Sequence, residues 1–81
     1  MPYLVYILQS LKDNKYYIGS TSDVESRLVL HNAGLQRSTK NRIPFIIVYI
    51  EICVDKHHAL LRERQIKNYK CGEAFKRLLG K

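Results

Sequence analysis

Apolar and polar positions divide the start of the chain into two short strands joined by a turn. Residues Tyr3–Gln9 and Tyr16–Gly19 are apolar and rich in aromatic and β-branched side chains, which is typical of strands. Between them, the polar run Lys12–Lys15 has the composition of a turn. The pattern therefore predicts a β-hairpin over the first nineteen residues.

A capping pattern predicts that a helix follows the hairpin. Ser22 is a favourable N-cap, and Glu25 stands three residues later, where its side chain can bond back to the N-cap backbone. The helix is predicted to cover Asp23 to about Asn32. It should end near Gly34, because glycine readily adopts the left-handed conformation that closes helices.

The polar segment Gln36–Asn41 predicts a loop, and Pro44 marks its end. The strongest strand signal of the chain follows at Phe45–Cys53, where isoleucine, valine and tyrosine dominate. The hydrophobic pattern therefore places a third strand after the loop.

Two helices are predicted for the remainder of the chain. Asp55 is a suitable N-cap for a helix through about Tyr69, and Gly72 separates it from a short helix over Glu73–Leu79. The predicted order is ββαβαα. It indicates an α+β fold in which a three-stranded, mostly antiparallel sheet is flanked by helices.

Length and composition restrict the class of protein. The 81 residues predict a single domain over positions 1–81, and 46% hydrophobic with 26% charged residues is ordinary for a soluble globular protein. No apolar run approaches the roughly 20 residues of a membrane span. The first residues carry no basic leader or small-residue cleavage site, so we expect a cytoplasmic protein without a membrane partner.

Charge adds a functional hint. Lys and Arg number 14 against 7 Asp and Glu, which gives a net charge of +7 and an isoelectric point near 9.7. Such a surface indicates a polyanionic partner, usually nucleic acid. The alternative is a solvated basic face that serves solubility only.

Two tripeptides in the predicted hairpin resemble the signature of a known family. The segment Val5–Ile7 reads VYI, and Tyr17–Gly19 reads YIG ten residues after Ile7. This pair resembles the two-part signature that names the GIY-YIG nucleases. The resemblance covers almost the whole chain and is closest to standalone bacterial members. The nuclease domain of the excision-repair incision subunit is a more distant relative.

Three downstream residues extend the resemblance. Arg27 and His31 follow on the first predicted helix at the family's offsets, and Glu63 lies in a segment similar to the family's metal-binding helix. The resemblance implies an endonuclease that hydrolyses phosphodiester bonds in DNA with Mg²⁺ or Mn²⁺, in DNA repair or processing. It implies Tyr6, Tyr17, Arg27, His31 and Glu63 as catalytic residues, with Glu63 as the metal ligand.

The chain departs from the family pattern at two positions. Val5 replaces the first glycine of the signature, at a variable position where a strand accepts valine better than glycine. Ser20 stands directly after the second motif, where some members carry a lysine that helps to activate the nucleophile. The sequence therefore leaves open which group takes the proton from water.

The chemistry of the two tyrosines is consistent with a role in hydrolysis. Tyr6 and Tyr17 lie on paired strands, so their phenols can converge above the sheet. A phenol with a pKa near 10 is a poor base unless neighbouring cations lower its pKa, as a cluster of Arg, Lys and metal can do. The alternative is that both are ordinary core aromatics.

Arg27 and His31 are four residues apart and therefore project from one face of the predicted helix. Arginine can clamp a phosphate with two donors, and histidine can donate to a phosphate oxygen or move a proton. The alternative is an arginine at the helix edge and a surface histidine that suits the C-terminal dipole.

Glu63 is predicted to face the sheet, where a single carboxylate can hold Mg²⁺ together with water and substrate phosphate. The alternative is an i,i+4 salt bridge to Lys67, worth only about 0.3–0.5 kcal/mol.

Other cations can follow the DNA backbone through its phosphates, without reading bases. The predicted nucleic-acid-binding residues are Arg37, Lys40, Arg42, Lys67 and Lys70. Two other functions remain open: a non-catalytic nucleic-acid-binding module, and an interaction module with a partner in a repair complex. Both would share the fold.

Overall fold

A computed structural model describes residues 2–35, 40–70 and 72–80 of the chain. The elements run in the order ββαβαα, as predicted, and the fold is α+β. Their bounds are β1 Tyr3–Ser10, β2 Tyr16–Thr21, α1 Val24–Asn32, β3 Phe45–Cys53, α2 Lys56–Lys67 and α3 Glu73–Leu78. A 3-10 turn, Lys40–Arg42, precedes β3.

The three strands form one antiparallel sheet in the order β2-β1-β3, so β1 is central. Tyr6 of β1 stands opposite Gly19 on one side and Ile50 on the other. The pairing of β1 with β3 shifts register between Ile7 and Leu8. Because the two hairpin motifs face each other across β1 and β2, the fold places them side by side in the middle of the paired strands.

Side chains of β1 alternate between two apolar cores, as the period of a strand requires. Val5 and Ile7 pack with residues of α2 and α3, including Ala59, Ile66 and Phe75. One face of the sheet thus packs against α2 and α3.

The other face of the sheet packs against α1. Tyr6 and Leu8 form this second core with Val24 and Phe45, and Leu28 contacts it. The candidate hairpin tyrosines therefore lie on the α1 side, while the helix that carries Glu63 lies on the opposite side.

The capping residue predicted for the first helix was wrong by one position. Asp23, not Ser22, is the N-cap, and its carboxylate accepts bonds from the Ser26 backbone N–H at 3.2 Å and from the Ser26 hydroxyl at 2.8 Å. A charged acceptor with two donors suits the positive end of the helix dipole better than a serine hydroxyl. The other capping predictions are confirmed: Gly34 has a φ of 75° after α1, and Asp55 caps α2.

In the part of the chain that the structure describes, no helix has the length and apolar character needed to cross a membrane.

Candidate active site

Tyr6 lies across Gly19, the glycine of the second motif. The Tyr6 side chain is only 2% exposed, and a Cβ atom built on Gly19 would stand 2.5 Å from its Oη and 2.7 Å from its Cζ. Such distances are far inside van der Waals contact. Glycine is required here because it leaves room for the phenol of the neighbouring strand.

We expect Gly19→Ala to destabilise the protein by about 1–3 kcal/mol, the usual cost of overpacking a core. The new methyl group has to displace a buried aromatic ring that has little freedom to move. The free energy of unfolding, measured by urea titration, checks this. In a Tyr6→Val background the same substitution should cost much less, and an equal cost in both backgrounds would contradict the proposed clash.

Three aromatic rings from three elements meet beside this contact. The ring centroids of Tyr6 and Tyr17 are 6.4 Å apart, and His31 of α1 lies 4.8 Å from Tyr17 and 6.4 Å from Tyr6. Phe45 of β3 closes the cluster at 5.9 Å from His31. His31 is only 1% exposed, so the structure places this predicted site residue inside the protein rather than on the helix surface.

The environment keeps the Tyr6 phenol protonated. Burial raises the pKa of Tyr6 to about 12, with Tyr17 and Glu63 adding to the rise and Arg27 opposing it. Among the protein side chains, desolvation of the phenolate outweighs the opposing effect of Arg27, so the arginine alone does not lower the pKa of this phenol below its ordinary value. The protein side chains by themselves therefore leave Tyr6 as a hydrogen-bond donor at neutral pH.

His31 is shifted toward its neutral form. Burial lowers the pKa of His31 below its ordinary value of 6.5, and the positive charge of Arg27 lowers it further. A neutral imidazole can accept a proton, which an imidazolium cannot.

A pH dependence of stability follows from His31. Its folded-state pKa lies below the ordinary 6.5, so the unfolded chain binds the proton more readily. Stability should therefore fall as pH drops below 6.5 and level off once pH passes the folded-state pKa. Urea unfolding at about pH 7.5 and 5.5, above the range where most carboxylates titrate, measures this. His31→Phe should reduce the difference in unfolding free energy between the two pH values, and the exposed His57→Gln should not. An equal difference in the parent and the His31→Phe protein would disprove the assignment to His31.

Arg27 occupies α1 one turn before His31, and its side chain is exposed. Its charge acts on both the Tyr6 phenol and the His31 imidazole, which places it beside the ring cluster. An exposed guanidinium next to buried aromatic rings is well placed to meet a phosphate from solvent.

Glu63 approaches the cluster from α2. Its side chain is 17% exposed, and one carboxylate oxygen, Oε2, accepts from Lys67 Nζ at 2.7 Å. The carboxylate nevertheless acts electrostatically on Tyr6. The i,i+4 salt bridge to Lys67 and the electrostatic effect on Tyr6 thus occur together. Glu63 also lines a shallow pocket with Leu60, Arg64 and Lys67.

The donor set limits what metal this site can hold. Among residues 2–35, 40–70 and 72–80, no group of three or more His, Cys, Asp or Glu side chains is arranged to bind an ion. A single carboxylate suits Mg²⁺ or Mn²⁺, which keep most of their water and take further oxygen ligands from phosphate. Glu63 fits this kind of site, and it does not fit a dedicated cage of protein ligands.

The predicted DNA-binding cations occupy different environments. Lys40 and Lys70 are exposed, and Lys67 pairs with Glu63. Arg42 donates from Nε to Asp13 Oδ2 at 3.1 Å, and its guanidinium carbon lies 5.8 Å from the centre of the Phe45 ring. Arg37 lies outside the described residues.

Sequence reasoning overlooked Asn32, which follows His31. Asn32 is four residues after Leu28, on the stripe of α1 that packs on the sheet, and its amide bonds the backbone of Phe45. The residue is exposed, so its spacing of one helical turn from Leu28 was the available signal that its amide could reach the sheet.

Comparison with known proteins identifies similar chains. The family model of the GIY-YIG catalytic domain matches residues 2–71. A UPF0213 protein of Staphylococcus haemolyticus is 41% identical over 73 residues, covering 89% of this chain and 88% of that protein. A UPF0213 protein of Haloquadratum walsbyi is 41% identical over 66 residues, covering 80% of this chain and 73% of that protein.

A solved structure is also similar. The solution NMR structure of a UPF0213 protein from Bacillus halodurans aligns with a TM-score of 0.54 and 32% sequence identity. The alignment covers 98% of this chain and 82% of that one. The names of these relatives state no activity, substrate or metal.

Proposed function

The chain belongs to the GIY-YIG family, whose catalytic-domain model matches residues 2–71, and from this premise we propose that it is a divalent-metal-dependent endonuclease. The proposed reaction is hydrolysis of phosphodiester bonds in DNA, in repair or processing. The observation that carries the proposal is the convergence of Tyr6, Tyr17 and His31 into one ring cluster beside Arg27. Glu63 reaches this cluster electrostatically from α2, on the other face of the sheet.

Hydrolysis needs positive charge at the phosphoryl group, because negative charge accumulates on its oxygens in the transition state. Arg27 supplies it from the exposed side of the cluster. Next to Arg27, the phenol of Tyr6 would donate a hydrogen bond to the phosphoryl group. The raised pKa of Tyr6 keeps the phenol protonated, and so able to donate, at neutral pH. Burial holds Tyr6 in place before substrate arrives, so this donor needs little reorganisation during the reaction.

A group is also needed to take the proton of the attacking water. Tyr17 is the proposed acceptor, since Ser20 replaces the lysine that serves some relatives and Tyr6 holds its own proton firmly. Neutral His31 packs against Tyr17 with ring centroids 4.8 Å apart and would take the phenolic proton of Tyr17 as the Tyr17 oxygen takes the proton of the water, so that Tyr17 stays a neutral phenol. The low pKa of His31 keeps it in the accepting form.

Glu63 would hold the metal ion through its carboxylate, with water and substrate phosphate as the other ligands. When bound there, Mg²⁺ or Mn²⁺ supplies positive charge to the phosphate oxygens and lowers the pKa of bound water. Lys67 would exchange its contact with Glu63 for a DNA phosphate, which keeps the local charge balanced.

Binding is expected to depend on backbone phosphates. With four to six contacts, log affinity for duplex DNA should fall linearly with log salt at about −0.9 per contact. Replacing Arg37, Lys40 and Arg42 by Gln should flatten the slope; Arg42→Gln alone should do least, since Asp13 already engages that guanidinium. Tyr17→Phe should leave the slope unchanged. Filter binding across a salt series measures it, and a slope near −1 would contradict the proposal.

Cleavage assays separate the proposed endonuclease from the two non-catalytic alternatives. Supercoiled plasmid, single-stranded DNA and branched duplex are each incubated with Mg²⁺, with Mn²⁺ and with chelator. The proposal expects cutting in either metal and none with chelator. Equal DNA binding in all three conditions without cutting would favour a binding module, and weak DNA binding without cutting would favour an interaction module.

A further inference from the structure

Strand β3 contributes none of the proposed catalytic residues, yet α1 and α2, the two helices that contribute some of them, are bonded to it by polar side chains. The residue after His31 is joined to the first residue of β3, and the residue before Glu63 is joined to a carboxylate near its end. The two attachments lie on different helices and at opposite ends of the same strand.

The first attachment is a two-point bond between Asn32 and the backbone of Phe45. The Phe45 N–H donates to Asn32 Oδ1 at 2.6 Å, and Asn32 Nδ2 donates to the Phe45 carbonyl at 3.2 Å. The amide thus pairs with Phe45 as a neighbouring strand would. Because Phe45 also packs against the His31 ring, the bond and the ring contact fix the same end of α1.

The second attachment is a polar network around Arg62. Its Nε donates to Glu51 Oε2 at 2.8 Å, and its Nη1 donates to Gln65 Oε1 at 3.0 Å and to Tyr69 Oη at 3.3 Å. The other Glu51 oxygen accepts from Tyr49 Oη at 2.6 Å. The Arg62 and Glu51 side chains are both largely covered, at 24% and 28% exposure.

Few buried side chains hold α1 and α2 against the sheet. Within α1 only Val24 and His31 are buried, and within α2 only Ala59 and Ile66. Hydrophobic contact is non-directional. Two buried side chains per helix therefore leave the helix able to rotate or slide on the sheet. Hydrogen bonds depend on distance and angle and therefore define one position.

We propose that β3 is a positioning strand for the active site, in which the Asn32–Phe45 and Arg62–Glu51 bonds set how α1 presents His31 and how α2 presents Glu63. Asn32, Arg62 and Glu51 are positioning residues: they act through their neighbours and do not touch substrate. The catalytic part of this inference rests on the proposed endonuclease function. A displacement of about 1 Å at a catalytic group can cost about 100-fold in rate, so such bonds influence catalysis.

Asn32 is tested with Asn32→Leu, which keeps the branched shape and heavy-atom count of the side chain and removes both bonds. The single-turnover cleavage rate should fall about 10- to 100-fold, while DNA affinity stays within about twofold. In the free protein, the NMR signals of the His31 and Tyr17 rings should shift, because ring currents report their geometry. Asn68→Leu at the exposed end of α2 is the matched control and should change none of these.

A second substitution protects the test against misfolding. Asn32→Asp retains the oxygen that accepts from the Phe45 N–H and loses the donor to its carbonyl. It should show an intermediate rate and intermediate ring shifts. A folded Asn32→Leu or Asn32→Asp protein with parental rate and parental ring signals would overturn the assignment of Asn32.

The second attachment is tested with Glu51→Gln, which makes the protein more positive by one charge. A role in binding alone predicts unchanged or tighter DNA affinity and an unchanged rate. The positioning role predicts the same affinity change with a rate about tenfold lower. Glu73→Gln, which alters charge equally at an exposed helix position, should affect affinity alone. A parental rate for Glu51→Gln would remove Glu51 and Arg62 from the proposal.

The two proposals can fail separately. If the parent protein cuts no DNA in any metal, the endonuclease proposal fails, and the ring signals of the Asn32 variants alone decide whether β3 positions the cluster. If the parent cuts and both sets of variants cut at its rate, the endonuclease proposal stands and the positioning proposal is wrong.

Discussion

Glu63→Gln is expected to lower the rate of DNA cleavage by about 1,000-fold or more, since a bound metal ion supplies several kcal/mol of transition-state stabilisation. The amide keeps the size of the side chain but lacks the negative charge that holds a divalent ion. DNA affinity should stay the same or rise slightly, because a negative charge near the phosphates is removed. Lys67 also loses its ion-pair partner and becomes free to meet the DNA backbone.

Single-turnover cleavage and equilibrium binding, measured on the same DNA, separate these effects. Glu73→Gln is the control: Glu73 sits in α3 with an exposed side chain, and its replacement changes net charge equally. That control should cut at the parental rate. Parental cleavage by Glu63→Gln protein, purified free of other nucleases, would disprove the metal assignment.

Arg27→Ala should reduce the cleavage rate by about 100-fold, the usual loss when one donor to the transition-state charge is removed. Affinity for uncut DNA should change little, because the contact strengthens only as charge develops on the phosphate. Arg27→Lys should recover part of the rate at most, since an ammonium lacks the two-pronged geometry of the guanidinium.

Arg77→Ala provides the matched loss of charge at an exposed position of α3. It should weaken binding slightly and leave the single-turnover rate intact. If Arg27→Ala instead loses affinity strongly at an unchanged single-turnover rate, Arg27 belongs to the binding surface. Arg27 also lowers the pKa of His31. Its removal should therefore move the acid limb of the pH–rate profile to higher pH, which gives an independent check.

Sequence reasoning identified the members of the candidate site but not their environments. The hairpin period places Tyr6 and Tyr17 on paired strands, and the helical period places Arg27 and His31 on one face. The structure brings these residues together. What it added is burial: His31 lies inside the protein and Tyr6 holds its proton, because both are desolvated by elements distant in sequence.

The role of Arg42 shows the same limit. As one of several cations beside a polar loop, it was predicted to bind DNA. In the fold its guanidinium pairs with Asp13 in the hairpin turn, 29 residues away along the chain. Nothing in the local sequence pattern distinguishes a cation that faces solvent from one that forms an ion pair with a residue of a distant turn.

The sequence by itself determined the order of elements, the N-terminal hairpin and the family, because these depend on local periodicity, caps and short motifs. The tertiary structure decided the pKa values of Tyr6 and His31, the need for glycine at position 19 and the attachment of both helices to β3. Each of these is a relation between residues that only the fold makes neighbours. Desolvation, steric contact and hydrogen-bond geometry act over a few ångströms in space, and one-dimensional spacing does not contain those distances.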